Sequence, residues 1–305
     1  MKHALLLVSL FVSVTALFPQ KSVGVMWYQK STMADDVTKG FAEAMKTGAP
    51  AVTIEYQKDL TKEDAKTVYA RFQKEKNAVV FLRSDGATMA KELGGTKPVF
   101  LGACNNPEQL GVIKNMAAPE GFMTGVTYSI PADVHFGLYK KVFPSLKSVT
   151  LVVHSTHSGA PVDRAGTKKA CTANGIAYNE IAAASLEEIV AGVKAVKSDL
   201  IILGVQNVVF DNADKIIAVT GNTPVVSYDI KAVKKGALLS LSADDVKLGK
   251  LLAQQVIDVL GGKKISEVPV KFDDDPLFTV NMAAVKKYGV VIPFQLMKRA
   301  NKIGE

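Results

Sequence analysis

Seven short runs of this sequence collect side chains able to bond to or stack on a small molecule: Trp27-Tyr28-Gln29, Arg83-Ser84-Asp85, Cys104-Asn105-Asn106-Pro107, Tyr128-Ser129, His154-Ser155, Val205-Gln206-Asn207 and Tyr228-Asp229. They are rich in aromatic rings, amides and hydroxyls and poor in matched acid and base pairs. That composition suits holding a guest rather than transforming it. Each residue taken singly can equally be a turn or helix-cap former.

Catalytic signatures are missing. There is no G-x-G-x-x-G after the first apolar run, no G-x-x-x-x-G-K-[ST], no G-x-S-x-G and no C-x-x-C. His154 and His157 form an H-x-x-H that would need a third converging ligand to hold a metal. Asp273-Asp274-Asp275 lacks the glycine and terminal glutamate of a calcium loop and reads as a polar inter-lobe segment. No catalytic residue, metal or cofactor is expected; an α/β enzyme using His154 or His157 would need a nucleophile that the spacing does not reveal.

These runs fall just after short apolar stretches rich in Val, Ile and Phe, which alternate with amphipathic stretches of helical spacing, the pattern of βα units building parallel sheets. Strands are predicted at Val23–Met26, Val52–Tyr56, Ala78–Leu82, Pro98–Gly102 and Met123–Thr127, and again at Val149–Val153, Ala177–Ile181, Leu200–Gly204, Pro224–Tyr228 and Ala237–Leu241. Val23 to Val149, Val52 to Tyr178 and Val99 to Val225 are each 126 residues apart, so two similar five-strand lobes in tandem explain the chain better than one sheet. Val37, Phe41 and Met45 form one helical stripe, and Thr61 to Asp64 reads as a capping box ahead of Ala65, Val68 and Phe72. A long helix is expected from about Ala243 to Leu260, closed by Gly261-Gly262, then a strand-like Val268–Phe272 and helices around Ala283–Tyr288 and Pro293–Ala300. In open parallel sheets ligands bind outside the carboxyl ends of strands, where helix N-termini offer free amides, so the seven runs stand where a site would form.

With 48% hydrophobic and 22% charged residues, the 305-residue chain has enough apolar side chain for two cores. Its net charge of +8 is spread in ones and twos with few interleaved aromatics, which reads as a solvated basic surface rather than a nucleic-acid footprint. Met1-Lys2 followed by the apolar run Ala4 to Leu17, with Val14 and Ala16 as small residues before a cut, reads as a secretory signal peptide over residues 1–16. No cysteine stands near its end to carry a lipid, so a freely soluble, extracytoplasmic (periplasmic) protein is expected. Cys104 and Cys171 fall in different lobes, where a bridge would lock any hinge, so two free thiols are expected.

Val23-Gly24-Val25-Met26 with Lys39-Gly40-Phe41, Asn106-Pro107, Gly121 to Val126 followed by Pro131, Pro224-Val225 with Asp229, Val233 to Leu238, Leu248-Gly249-Lys250 and Gly289 to Pro293 together form a family pattern. On these blocks the chain resembles the ABC-transporter substrate-binding proteins of the tryptophan/tyrosine type, which have the type I periplasmic-binding-protein fold. The resemblance implies two Rossmann-like α/β lobes with parallel sheets, joined by a three-segment hinge. The N-terminal lobe would hold residues 22–129 plus about 243–266, and the C-terminal lobe 130–242 plus about 267–305.

It also implies a cleft that closes on a ligand and is then recognised by a membrane permease working with an ATPase subunit. Ser84, Asn105, Asn106 and Thr127 match first-lobe binding positions, and His154, Gln206, Asn207 and Asp229 match second-lobe ones. Asp229 is the expected partner of a ligand ammonium, and Tyr28, Tyr128 or Tyr228 the stacking ring. Asp85 stands where the family usually has Pro, Tyr128 and Gln206 where Asp is frequent, and Arg83 and Tyr228 where small residues are common. Arg83 reads two ways, as a fork for a ligand carboxylate or as a local pair with Asp85. The expected protein is a monomeric importer component that binds a small amino-acid-like or aromatic solute. The alternative is a receptor that uses the same cleft to feed a chemotaxis or sensor protein.

Overall fold

Strands without a polar break cannot face water on either side, and in the computed structural model they become the centres of two separate sheets. The structure describes residues 20–157 and 159–304; the expected leader, residues 1–16, lies outside them. In the first lobe β1 (Ser22–Tyr28), α1 (Thr32–Gly48), β2 (Thr53–Leu60), α2 (Lys62–Glu75), β3 (Ala78–Leu82), α3 (Arg83–Leu93), β4 (Val99–Cys104) and β5 (Met123–Thr127) alternate as βα units. The second runs through α4 (Ala132–Val142), β6 (Ser148–His154), α5 (Ala160–Asn174), β7 (Ala177–Ala183), α6 (Leu186–Ala195) and β8 (Leu200–Leu203). It continues through α7 (Asn207–Phe210), α8 (Ala213–Ile217), β9 (Val225–Ser227), α9 (Ile230–Lys234) and β10 (Leu239–Ser242). The chain then returns to the first lobe with α10 (Asp245–Leu260) and β11 (Lys271–Phe272), and ends in the second with β12 (Leu277–Asn281), α11 (Met282–Tyr288), α12 (Phe294–Arg299) and β13 (Asn301–Ile303).

The first sheet has the order β11-β5-β4-β3-β1-β2 and is parallel throughout. The second has the order β13-β12-β10-β9-β8-β6-β7 and is parallel except where β12 runs against β10. Two α/β lobes with mostly parallel sheets are therefore present, with six and seven strands rather than five each. β12 and β13 are strands that the periodicity missed.

Helix starts follow their local chemistry. Ser31 caps α1 by accepting from the Ala34 amide at 3.2 Å, and Thr61 caps α2 by accepting from Asp64 at 3.1 Å. The α1 stripe of Val37, Phe41 and Met45 is buried together with Leu248, Leu252 and Val256 of α10 in one core cluster. The α2 stripe is Ala65, Tyr69 and Phe72, with Val68 only partly covered.

Close approach of α1 and α10 rests on two glycines. A Cβ at Gly40 would lie 2.0 Å from the Val246 carbonyl oxygen, and one at Gly249 would lie 2.0 Å from that of Val37.

Residues 267–272 were expected in the second lobe, but β11 sits at the edge of the first sheet, pairing Lys271 with Val126 and Phe272 with Thr127. Val268 is buried, and its carbonyl accepts from the Thr124 hydroxyl at 2.6 Å. The third crossing therefore begins at Asp273. That residue is itself buried, 2.5 Å from the Lys247 ammonium, and accepts from the Asp244 amide at 2.9 Å, which ties the second crossing to the third. Cys104 and Cys171 are both free and buried, one in β4 and the other in α5. Among the described residues no helix is long and apolar enough to cross a membrane.

Candidate ligand-binding cleft

The carboxyl ends of the strands in both sheets border a shared cleft of about 580 Å³, within the size range of small-molecule sites. On the first-lobe side it is walled by the β1–α1 junction from Lys30 to Met33, by Asp59, and by Arg83, Ser84 and Asp85. On the second-lobe side it is walled by His157, Val205, Asn207, Phe210, Asp211, Asp229 and Lys231, while Tyr128 stands at the crossing between lobes. Five carboxylates and three cationic side chains line it.

Arg83 starts α3 directly after β3, with no loop between, and pays for this with a left-handed backbone, φ 72°. One guanidinium nitrogen donates to the Tyr28 carbonyl at 3.1 Å and the other lies 3.6 Å from Asp85 Oδ2. Of the two readings of Arg83, the local pair is the one made here, at a separation longer than a hydrogen bond.

Asp229 caps α9 by accepting from the Lys231 amide at 2.7 Å. Lys231 turns its ammonium over the Phe210 ring instead, 4.7 Å from the centroid. Burial raises the Asp229 carboxyl above the usual carboxylate range. Asp245, at the start of α10, is pushed to about 7, first by burial and then by Asp229 and Asp36. Negative charge is thus crowded where the lobes meet.

Arg83, Ser84, Tyr128, Asn207 and Asp229 of the predicted contacts line this cleft. Asn105, Asn106, Thr127, Tyr128 and Tyr228 line a separate hinge-side cavity of about 390 Å³, with Tyr128 and Val205 common to both. Asn105 is buried and bridges the lobes, its amide donating to the Gly159 carbonyl at 3.5 Å while its own backbone amide donates to Ser84 Oγ at 2.9 Å. Asn106 folds back, accepting from the Glu108 and Gln109 amides at 3.1 Å, as a turn former does. Thr127 likewise accepts locally from the Ser129 amide at 3.0 Å.

Tyr28, Gln29, His154 and Gln206 line neither space. Tyr28 is half-buried beside the first-lobe core, and burial lifts its phenol to about 12. Gln29 is exposed at φ 63°, its amide donating to Leu60. His154 turns its ring to the Ala184 carbonyl at 2.9 Å. Gln206 is fully buried and serves the wall from behind: its Nε2 donates to Asp163 Oδ2 at 2.7 Å, and the same oxygen accepts from the Val205 amide at 2.9 Å.

Lys30, Ser31, Asp35, Phe210, Asp211 and Lys231 escaped the sequence reading because it stopped two or three residues past each strand, whereas the first turns of α1 and α9 and the end of α7 also face the cleft. His157, considered as half of an H-x-x-H and as a base for an enzyme but not as a ligand contact, lines the cleft and accepts from the Gly159 amide at 3.0 Å. Among the described residues no three of His, Cys, Asp and Glu converge as metal ligands.

Two α/β lobes, three crossings and a polar cleft at the strand ends define a two-lobed solute-binding protein. A family model described as ABC transporter substrate binding protein matches residues 22–303, and the chain belongs to that family, whose members bind substrates and are not enzymes. A tyrosine-binding protein of Clostridioides difficile is 20% identical over 280 residues, covering 88% of this chain and 80% of that protein.

Two solved structures share the fold. One, from Streptococcus pneumoniae, is in complex with L-Trp, with TM-score 0.78 and 20% identity over 93% of this chain and 99% of that one. The other is the ligand-free, open structure of a substrate-binding protein with adhesive properties from Clostridium difficile, with TM-score 0.80 and 19% identity over the same shares.

Proposed function

We propose that this protein captures an amino acid with an aromatic side chain in the interlobe cleft and delivers it, unchanged, to an ABC permease from outside the cytoplasm. The observation that carries the reading is the Asp229 carboxylate on the second-lobe wall, lining the same cleft as the Arg83 guanidinium of the first, with burial and the nearby Asp211 raising its carboxyl. A ligand ammonium there relieves repulsion that the empty site bears. Arg83, held at 3.6 Å from Asp85 and facing the cleft, is placed to give its free donors to the ligand carboxylate. Tyr128 and Phe210 supply aromatic surface for the side chain. The tyrosine and L-Trp named for two relatives agree with that chemistry. A monomer suffices, since each chain carries both walls of the cleft.

The test is calorimetry and thermal shift of the mature protein with tyrosine, tryptophan and phenylalanine, with sugars and nucleosides as controls. An aromatic amino acid raises Tm by mass action. Asp229→Asn keeps the helix cap, because Asn caps as well as Asp, but removes the charge, so affinity falls at least about tenfold with little change in the Tm of the free protein. A folded sample that no amino acid stabilises, or an Asp229→Asn variant that binds as tightly as the parent, sinks the reading.

A further inference from the structure

The hinge-side cavity lies across Tyr128 and Val205 from the cleft, and none of the roles assigned above uses it. Its walls are the ring pair of His135 and Tyr228, with centroids 4.5 Å apart and planes at 55°, the face of α5 that carries Gly166, Ala170 and Ala173, and Phe272 of β11. Phe272 is 47% exposed, unusual for a phenylalanine, and stands where the end of β11 meets the cavity.

His135 is the telling group. It is only 3% exposed, yet among the described residues its Nδ1 has no hydrogen-bond partner, an arrangement that costs about 1–3 kcal/mol and that native proteins rarely keep without a reason. Burial lowers its pKa to about 3, so the ring is neutral at ordinary pH; Nδ1 is closed off within the protein, and with the proton there Nε2 is the nitrogen that accepts. The Tyr228 hydroxyl is already engaged with Thr167 Oγ1 at 2.8 Å, and Asp163 Oδ2 with Val205 and Gln206, so neither competes for that nitrogen.

We propose that the hinge-side cavity is a second binding site, for a small flat aromatic molecule that carries one N–H or O–H donor. The rings of His135, Tyr228 and Phe272 take its faces and edges, the small residues of α5 leave it room, and the imidazole accepts its single polar hydrogen. A volume of about 390 Å³ admits one or two fused rings but not an oligomer. The site does not depend on what the cleft binds.

Indole is the probe, titrated by calorimetry and by ligand-observed NMR against the whole mature protein. Two variants are chosen outside the cleft. Gly166→Leu fills the cavity from a helical position with a negative φ, where an added Cβ meets nothing closer than the Ala132 Cβ at 3.4 Å. His135→Phe keeps the ring and removes the nitrogen.

The proposal expects saturable indole binding to be abolished by Gly166→Leu and weakened at least tenfold by His135→Phe, whose Tm does not fall because an orphaned polar atom has been removed. It expects Asp229→Asn to bind indole like the parent. No saturable binding by the parent, binding that His135→Phe retains in full, or binding lost in Asp229→Asn instead would each overturn it. If indole binds in this way while no amino acid binds the cleft, the second site stands and the cleft assignment alone falls.

Discussion

The two walls of the cleft are built under different backbone rules. Among the described residues, four that are not glycine adopt a left-handed backbone, Gln29, Asp59, Arg83 and Ala103, and all four lie at or near the carboxyl ends of first-lobe strands. Among the described residues of the second lobe every positive φ belongs to a glycine. Each such non-glycine costs on the order of 1 kcal/mol and persists only where its surroundings over-determine it. The second wall instead uses ordinary devices: the Asp229 cap and the buried Asp163–Gln206 pair behind Val205. The first lobe thus spends stability to aim Arg83 and Asp59 into the cleft, while the second holds its ligand loops through side-chain bonds.

The most severe way to break this contrast is to remove what holds the strained wall. Gly249→Leu would drive a side chain into the Val37 carbonyl and part α10 from α1, destabilising the first lobe by about 3 kcal/mol or more. Trp27 is the chain's one tryptophan and is buried in β1, so a red shift of its emission at a lower denaturant concentration reads that loss directly. An unchanged emission midpoint would refute the role given to α10.

In the second wall, Asp163→Ala leaves the Val205 amide and the Gln206 side chain without their acceptor, a loss of about 2 kcal/mol measured by chemical denaturation. Asp163→Asn instead separates charge from shape. Burial lifts the Asp163 carboxyl to about 6, against the bonds from Val205, Gln206 and Asn105 that favour its ionised form. The folded protein therefore holds that proton more tightly than the unfolded chain. Its contribution is full below about pH 4 and is lost as the pH rises through 6, by at most about 3 kcal/mol. Asp163→Asn should make the fall in Tm across that window shallower, leaving the decline from Asp245, whose carboxyl is pushed further, to about 7. An unaltered pH profile would remove Asp163 from the account.

The smallest effect sharpens the strain argument. Asp59→Gly, at φ 54° on an exposed edge, should gain up to about 1 kcal/mol, since glycine takes that conformation without steric cost and loses only chain entropy. A loss of stability would show that Asp59 is not strained.

Much of this was legible in the sequence. All ten expected strands formed, some with shifted ends: the central ones because burial on both faces leaves an unbroken apolar run, and the exposed edge strands β2 and β7 because they keep their place in the βα repeat. β12 was missed although Leu277–Asn281 has strand-type residues: it runs antiparallel, outside the repeating βα pattern that located the others. β11 pairs through two residues only, so the apolar Val268–Phe272 gave no clue to which sheet it joins.

At the cleft, the rule that ligands meet strand ends found the right loops but not which way each side chain points. Tyr228 and Asp229 are neighbours at the end of β9, yet one faces the hinge-side cavity and the other the cleft. Asn106 and Gln206 satisfy local amides and a buried carboxylate, which spacing cannot distinguish from ligand contacts.

The placement of α10 also governs the order in which the molecule can mature. During synthesis residues 22–127 emerge with every strand of the first sheet but β11, yet the faces of Val37, Phe41 and Met45 stay bare until 245–260 follow, after five of the seven strands of the second sheet. The half made first thus waits, open on one face, while most of the other half is made, and it offers an oily surface to chaperones for most of translation.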